Sequence, residues 1–182
     1  MAASVWLITG AQGSGKTTIA DLLAKRFERG VHVRGGQFYR WVVSGWVGFD
    51  DQARPDEARR LLDLRYDLSA QTAARYADAG FTCVVQDNIY GADVPAWIQA
   101  VRPRTTYLVV LRPSVEVVAA RDDARRRATG KVAYQDGFTP MLNDNQVAGT
   151  PRHLGLWLDT SQQTPDETVV EIQARQAESL VG

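Results

Sequence analysis

Apolar residues along this chain fall into short runs separated by longer stretches of helical spacing. Val5-Trp6-Leu7-Ile8-Thr9 is one such run, stopped by Gly10, and it predicts a strand buried on both faces. Ile19, Leu22, Leu23 and Phe27 then recur at helical spacing, with Gly30 as the expected stop. Val31-His32-Val33 predicts a second strand that ends at Gly35-Gly36. A long helix is expected from about Pro55 to Ala79, because Pro55 suits a first turn and Asp56 and Glu57 complement the positive end of a helix dipole. Phe81 to Val85 and Tyr107 to Leu111 read as strands on either side of a short helix from Asp93 to Val101. Another helix opens near Ser114, and a glycine- and polar-rich segment fills 129–150. Leu156-Trp157-Leu158 predicts the last strand, and Thr164-Pro165-Asp166-Glu167 predicts a capping box with proline at the first helical position.

Short strands alternating with helices imply an α/β fold of three layers, a parallel sheet of five strands covered on both faces. Ligands in such sheets bind beyond the carboxyl ends of the strands, so the strand-ending residues carry the chemistry. A length of 182 residues, 45% of them hydrophobic, fits one domain over 1–182. Lys plus Arg and Asp plus Glu both number 21, and this balance speaks against an extended basic track for nucleic acid. The single cysteine, Cys83, lies in an apolar run and reads as a small hydrophobe; it excludes an internal disulfide. No segment has the length of a membrane span, and the N-terminus lacks the pattern of a secretory signal. A cytoplasmic protein, monomer or homodimer, is expected.

Gly10-Ala11-Gln12-Gly13-Ser14-Gly15-Lys16-Thr17 meets G-x-x-x-x-G-K-[ST] at every fixed position, between a predicted strand and a predicted helix. Glycines let such a loop turn tightly and aim backbone amides at phosphate oxygens. Lys16 adds a point charge for the β- and γ-phosphates, and Thr17 offers a hydroxyl to magnesium. The expected ligands are ATP and Mg²⁺, with Gly10, Gly13, Ser14, Gly15, Lys16, Thr17 and Thr18 around the triphosphate.

Asp87 ends the third strand beside this loop, where a carboxylate holds magnesium with Thr17 or accepts a proton from a substrate hydroxyl. A turn-forming residue at a strand end is the alternative. Arg121, Arg125, Arg126, Arg127 and Lys131 suggest a small arginine-rich lid over about 121–150, with Arg121 and Arg125 facing the transferred phosphoryl group. Asp122 and Asp123 interrupt the run, so a solvated, salt-bridged helix face competes with that reading. Phe38, Tyr39, Trp41, Trp46, Phe49 and Tyr90 form an aromatic group near two strand ends; Phe38, Trp41 and Tyr90, with Arg40 and Arg65, are the expected substrate contacts.

These residues resemble a family. Val31-His32-Val33-Arg34-Gly35 with Phe38, Arg40 and Val43-Ser44-Gly45 is similar to small phosphotransferases of the chloramphenicol phosphotransferase type. So are Leu64-Arg65-Tyr66, Gly80-Phe81-Thr82, Asp87 and the stretch from Gly155 to Ser161. The wider group holds gluconate kinases, nucleoside-monophosphate kinases and zeta toxins. The resemblance implies a five-stranded P-loop kinase fold with a lid, and transfer of the ATP γ-phosphoryl group to a hydroxyl of a small molecule, sometimes an antibiotic. It also implies an aspartate as general base right after the glycine that ends the second strand. Here that place is Gly36, which has no group to take a proton. Asp87 as substitute base, a nucleotide-binding protein without turnover, and a zeta-toxin-like sugar-nucleotide kinase all remain open on these residues.

Overall fold

The computed structural model describes residues 3–130, 134 and 137–182. Five parallel strands form one sheet in the order β2-β3-β1-β4-β5, namely β1 (Val5–Gly10), β2 (Gly30–Arg34), β3 (Thr82–Gln86), β4 (Thr106–Leu111) and β5 (Leu156–Leu158). All six residues of β1 are buried, as its continuous apolar run requires at the centre of a doubly covered sheet. Alternate side chains go to opposite faces. Val5, Leu7 and Val85 pack with Ala70, Ala73 and Trp97 on one side. Trp6, Ile8 and Val84 pack with Ile19, Leu23, Val169 and Ile172 on the other.

The helices are α1 (Lys16–Ala24), α2 (Gly36–Arg40), α3 (Pro55–Asp78), α4 (Asp93–Val101), α5 (Val115–Thr129), α6 (Pro140–Ala148), α7 (Pro165–Ala174) and α8 (Gln176–Ser179). The capping box expected at Thr164 is present: its hydroxyl accepts from the Glu167 amide, and Glu167 reaches back to the Thr164 backbone. Helix α3 buries a stripe of small residues, Ala58, Ser69, Ala70, Ala73 and Ala77, and this draws it close to the sheet. Within that stripe Arg65 is the one large exception.

Two expectations need correction. Helix α1 stops at Ala24, before Gly30, and Gly30 instead opens β2. A Cβ there would lie 1.9 Å from the Ala24 carbonyl oxygen, so glycine is needed for close approach and not for a helix stop. The polar segment 129–150 contains α6, started by Thr139, whose hydroxyl accepts from the Leu142 amide. Lys131 lies outside the described residues. Among the described residues, no helix is long and apolar enough to cross a membrane.

Candidate active site

Strand β1 lies at the centre of the sheet, between β3 and β4, and its carboxyl end delivers the chain into the loop before α1. Gly10, Gly13 and Gly15 have φ of 142°, 83° and 96°, values that L side chains rarely adopt. At Gly10 a Cβ would also lie 2.1 Å from the Leu111 carbonyl oxygen on β4. Gly15 is the N-cap of α1 and gives no side-chain cap, so the first-turn amides of α1 lack intrahelical partners. Together with the helix dipole this makes an anion cradle, with Thr17 and Thr18 exposed at its mouth.

Lys16 is only 7% exposed. Its Nζ donates to the carbonyls of Gly10 and Ala11, both at 2.7 Å, folding back on the loop it serves. Burial pushes the Lys16 ammonium down to about 7; Asp87 pulls it up, while Arg65 and Arg125 push it further down. The loop is braced from outside. The Gln12 amide donates to Asn143 Oδ1 of α6 at 2.7 Å, and the Tyr134 hydroxyl donates to the Gln12 carbonyl. The Tyr90 hydroxyl donates to the Gly10 carbonyl at 3.0 Å, so Tyr90 faces the phosphate loop. Arg121 reaches the same loop, donating to the carbonyls of Ser14 (3.4 Å) and Thr160 (3.1 Å).

The end of β3 sets the rest of the site. Gln86 Oε1 accepts the Thr17 hydroxyl at 2.6 Å. Asp87, next in sequence, is fully buried and turned to Arg65, which donates from Nε at 3.3 Å and again from Nη2. The Asn88 amide also donates to Asp87, at 2.7 Å. Gly35 permits this placement: a Cβ there would sit 1.9 Å from Asp87 Oδ2. Gly36 is different. The nearest heavy atom to a Cβ built on it is Arg65 Nη2, 4.0 Å away, so the position is open.

The structure thus joins Arg65 to Asp87 and places Gly36 beside them, while Thr17 meets Gln86. Arg65 also lies 4.8 Å from the Tyr39 ring centroid. Phe38 packs on the core and against Trp41, whose ring meets it edge-on at 5.2 Å. Trp41 is 65% exposed and Arg40 is exposed, both at the rim. Phe49 touches Phe138 edge-on at 5.8 Å, so the 41–54 loop and the segment before α6 meet. Arg125 pairs with Asp122 and Arg126 with Asp123, which gives the salt-bridged face part of the arginine-rich helix. Arg121, by contrast, is turned onto the phosphate loop.

Gln86, Asn143, Tyr134 and Gly35 were not legible as site residues. A cation bound at this loop would find the Thr17 hydroxyl and the neutral Gln86 amide, and Asp87 is committed to Arg65. Among the described residues, no group of three or more His, Cys, Asp or Glu is arranged for a metal. These donors fit magnesium that arrives on a triphosphate and not a cation held by protein alone. A separate cavity of about 390 Å³ opens at the ends of β4 and β5, lined by Arg112, Ser114, Asp144, Arg152, Trp157 and Asp159 among others. It includes neither the phosphate loop nor Arg65 and Asp87.

The sheet order, the glycine loop and the helix it opens define the fold of small P-loop kinases. The chain belongs to the AAA_33 family (AAA domain), whose model matches residues 5–136. No curated protein sequence matches it. Among solved structures it is similar to a tunicamycin resistance protein of Deinococcus radiodurans, with 17% identity, 99% of each chain covered and a TM-score of 0.68. A putative kinase from Chloroflexus aurantiacus gives 18% identity, 98% of each chain covered and a TM-score of 0.67. The Mycobacterium tuberculosis APS kinase CysC, solved with AMPPNP and APS, gives 21% identity and a TM-score of 0.64 over 94% of this chain and 96% of that one.

Proposed function

We propose that the protein is an ATP-dependent phosphotransferase that moves the γ-phosphoryl group to a hydroxyl of a small molecule. The observation that carries this reading is the buried Lys16 at the mouth of an uncapped helix, inside a glycine loop with the backbone angles of a phosphate cradle. In this reading the amides from Gly13 to Thr18 take the β- and γ-phosphates, Lys16 swings from the loop carbonyls to the transferred group, and Thr17 supplies the protein oxygen for magnesium. Bound magnesium would neutralise charge on the phosphates. Arg121 lies on the loop and is the nearer clamp; Arg125 follows it once freed from Asp122. Arg65, held by Asp87, orients the acceptor beneath Phe38 and Trp41.

Structures of like fold, among them an APS kinase and a protein named for tunicamycin resistance, support a small-molecule acceptor. An antibiotic hydroxyl is one such acceptor class. The test is ATP consumption with magnesium over a panel of hydroxyl-bearing small molecules. Lys16→Ala is expected to lower turnover by about 10²–10³-fold or more, as loss of a preorganised charge does. Unaltered turnover in that variant would sink the reading.

A second reading has its own observation. With Gly36 lacking a side chain and Asp87 tied to Arg65, neither residue offers a free carboxylate beside the acceptor position. A nucleotide-binding protein with little or no turnover follows from that. Gly36→Asp separates the two: the open space accepts the side chain, and a rise of roughly 10²–10⁴-fold would mark a restored general base. Equal turnover in both forms would instead leave positioning and charge as the whole of the catalysis.

A further inference from the structure

P-loop NTPases hold magnesium through the loop Ser or Thr and an aspartate at a neighbouring strand end. Here the strand-end side chain that meets Thr17 is Gln86, at 2.6 Å, and the adjacent carboxylate, Asp87, is fully buried in its pair with Arg65. Asp122, a further carboxylate among the described residues here, is bound to Arg125. Lys16, Arg121 and Arg125 supply positive charge around the loop. Among the described residues, a bare triphosphate therefore meets cations and a neutral amide, with no uncompensated negative charge at the Thr17 side.

Resting on the nucleotide reading above, we infer that Gln86 makes triphosphate binding at this site nearly independent of magnesium. A carboxylate beside Thr17 would repel a bare triphosphate and call for a cation between them. The amide does neither. Gln86 Oε1 is committed to the Thr17 hydroxyl, so the polar end that remains to it is the Nε2 donor, which complements a phosphate oxygen where a carboxylate would oppose one. Residue 86 thereby sets the dependence of nucleotide affinity on the metal, separately from the metal's part in chemistry.

Calorimetric titration of the full chain with ATP, once in magnesium chloride and once in EDTA, tests this for the protein and for Gln86→Glu. The expected Kd of the unaltered protein differs between the two buffers by less than about threefold, whereas Gln86→Glu binds at least about tenfold more weakly in EDTA than in magnesium. A more than tenfold loss of affinity in EDTA by the unaltered protein overturns the inference. So does Gln86→Glu behaving like the unaltered protein in both buffers, which would reduce the Gln86–Thr17 contact to a tie between β3 and α1. No ATP binding in either buffer removes the nucleotide reading itself, and this inference with it. Should Gln86→Glu fail to fold, the unaltered protein's own comparison of the two buffers still decides.

Discussion

The two sides of the site are built on different principles. In the proposed reading the phosphate side is nine consecutive residues, Gly10 to Thr18, and its binding groups are mostly backbone amides fixed by positive-φ glycines. The acceptor side of that reading is assembled from separate elements: Gly35 and Gly36 after β2, Arg65 from the middle of α3, and Asp87 after β3. Its binding groups are side chains whose positions depend on tertiary packing. A backbone site survives most side-chain exchange outside its glycines and lysine. A side-chain site is only as stable as the burial and pairing of each member.

The largest expected effect breaks the acceptor side at its centre. Arg65→Ala leaves Asp87 buried without its partner, and loss of one member of a buried ion pair costs about 3–5 kcal/mol. Chemical denaturation measures this directly. Lys16→Ala, on the phosphate side, is expected to change stability by less than about 1.5 kcal/mol, because the hydrogen bonds lost are offset by relief of a buried charge. Equal losses in both variants would erase the distinction between the two sides.

A smaller effect separates two neighbouring glycines. Gly35→Ala must push a methyl group against Asp87 Oδ2, and overpacking of this kind costs about 1–3 kcal/mol. Gly36→Ala meets open space at the start of α2 and should shift stability by less than about 1 kcal/mol, in the stabilising direction. Thermal unfolding of the two variants side by side checks it. The acceptor side would need a different description if the ranking reversed.

The same contrast explains what the sequence disclosed. The strand runs, the long α3 and the Thr164 capping box were legible because each rests on local periodicity or local hydrogen bonding. The phosphate loop was legible because its requirements are contiguous. Helix α6 was not: it buries only Asn143 and Val147, so it carries no apolar stripe, and its main work is a polar contact with Gln12. The Arg65–Asp87 pair joins residues 22 apart in sequence through tertiary packing, which no local pattern encodes. The exchange of Asp87 for Gln86 at Thr17 is a matter of strand parity. Adjacent residues of a strand point to opposite faces, so a single step decides which side chain meets α1 and which meets α3. Gly36 could be recognised as unusual only against the family resemblance, and the structure adds that the space beside it is real.

The finest distinction between the two sides is carried by one proton. Burial holds the Lys16 pKa at about 7, far below its ordinary value of 10.5. The lowered value means that the ammonium is disfavoured in the folded state, so between about pH 7 and 10.5 the folded protein binds fewer protons at Lys16 than the unfolded chain does. A triphosphate beside Lys16 restores the charged form. At pH 8, ATP binding should therefore take up a proton, up to about one per site, and the uptake should fade toward pH 6, where Lys16 is already charged. Calorimetry in buffers of differing ionisation enthalpy reads this number directly. Lys16→Ala should remove the pH 8 uptake, whereas Arg65→Lys, which keeps a cation on the acceptor side, should preserve it. Uptake that persists in Lys16→Ala would move the titrating group away from the phosphate loop and onto the acceptor side.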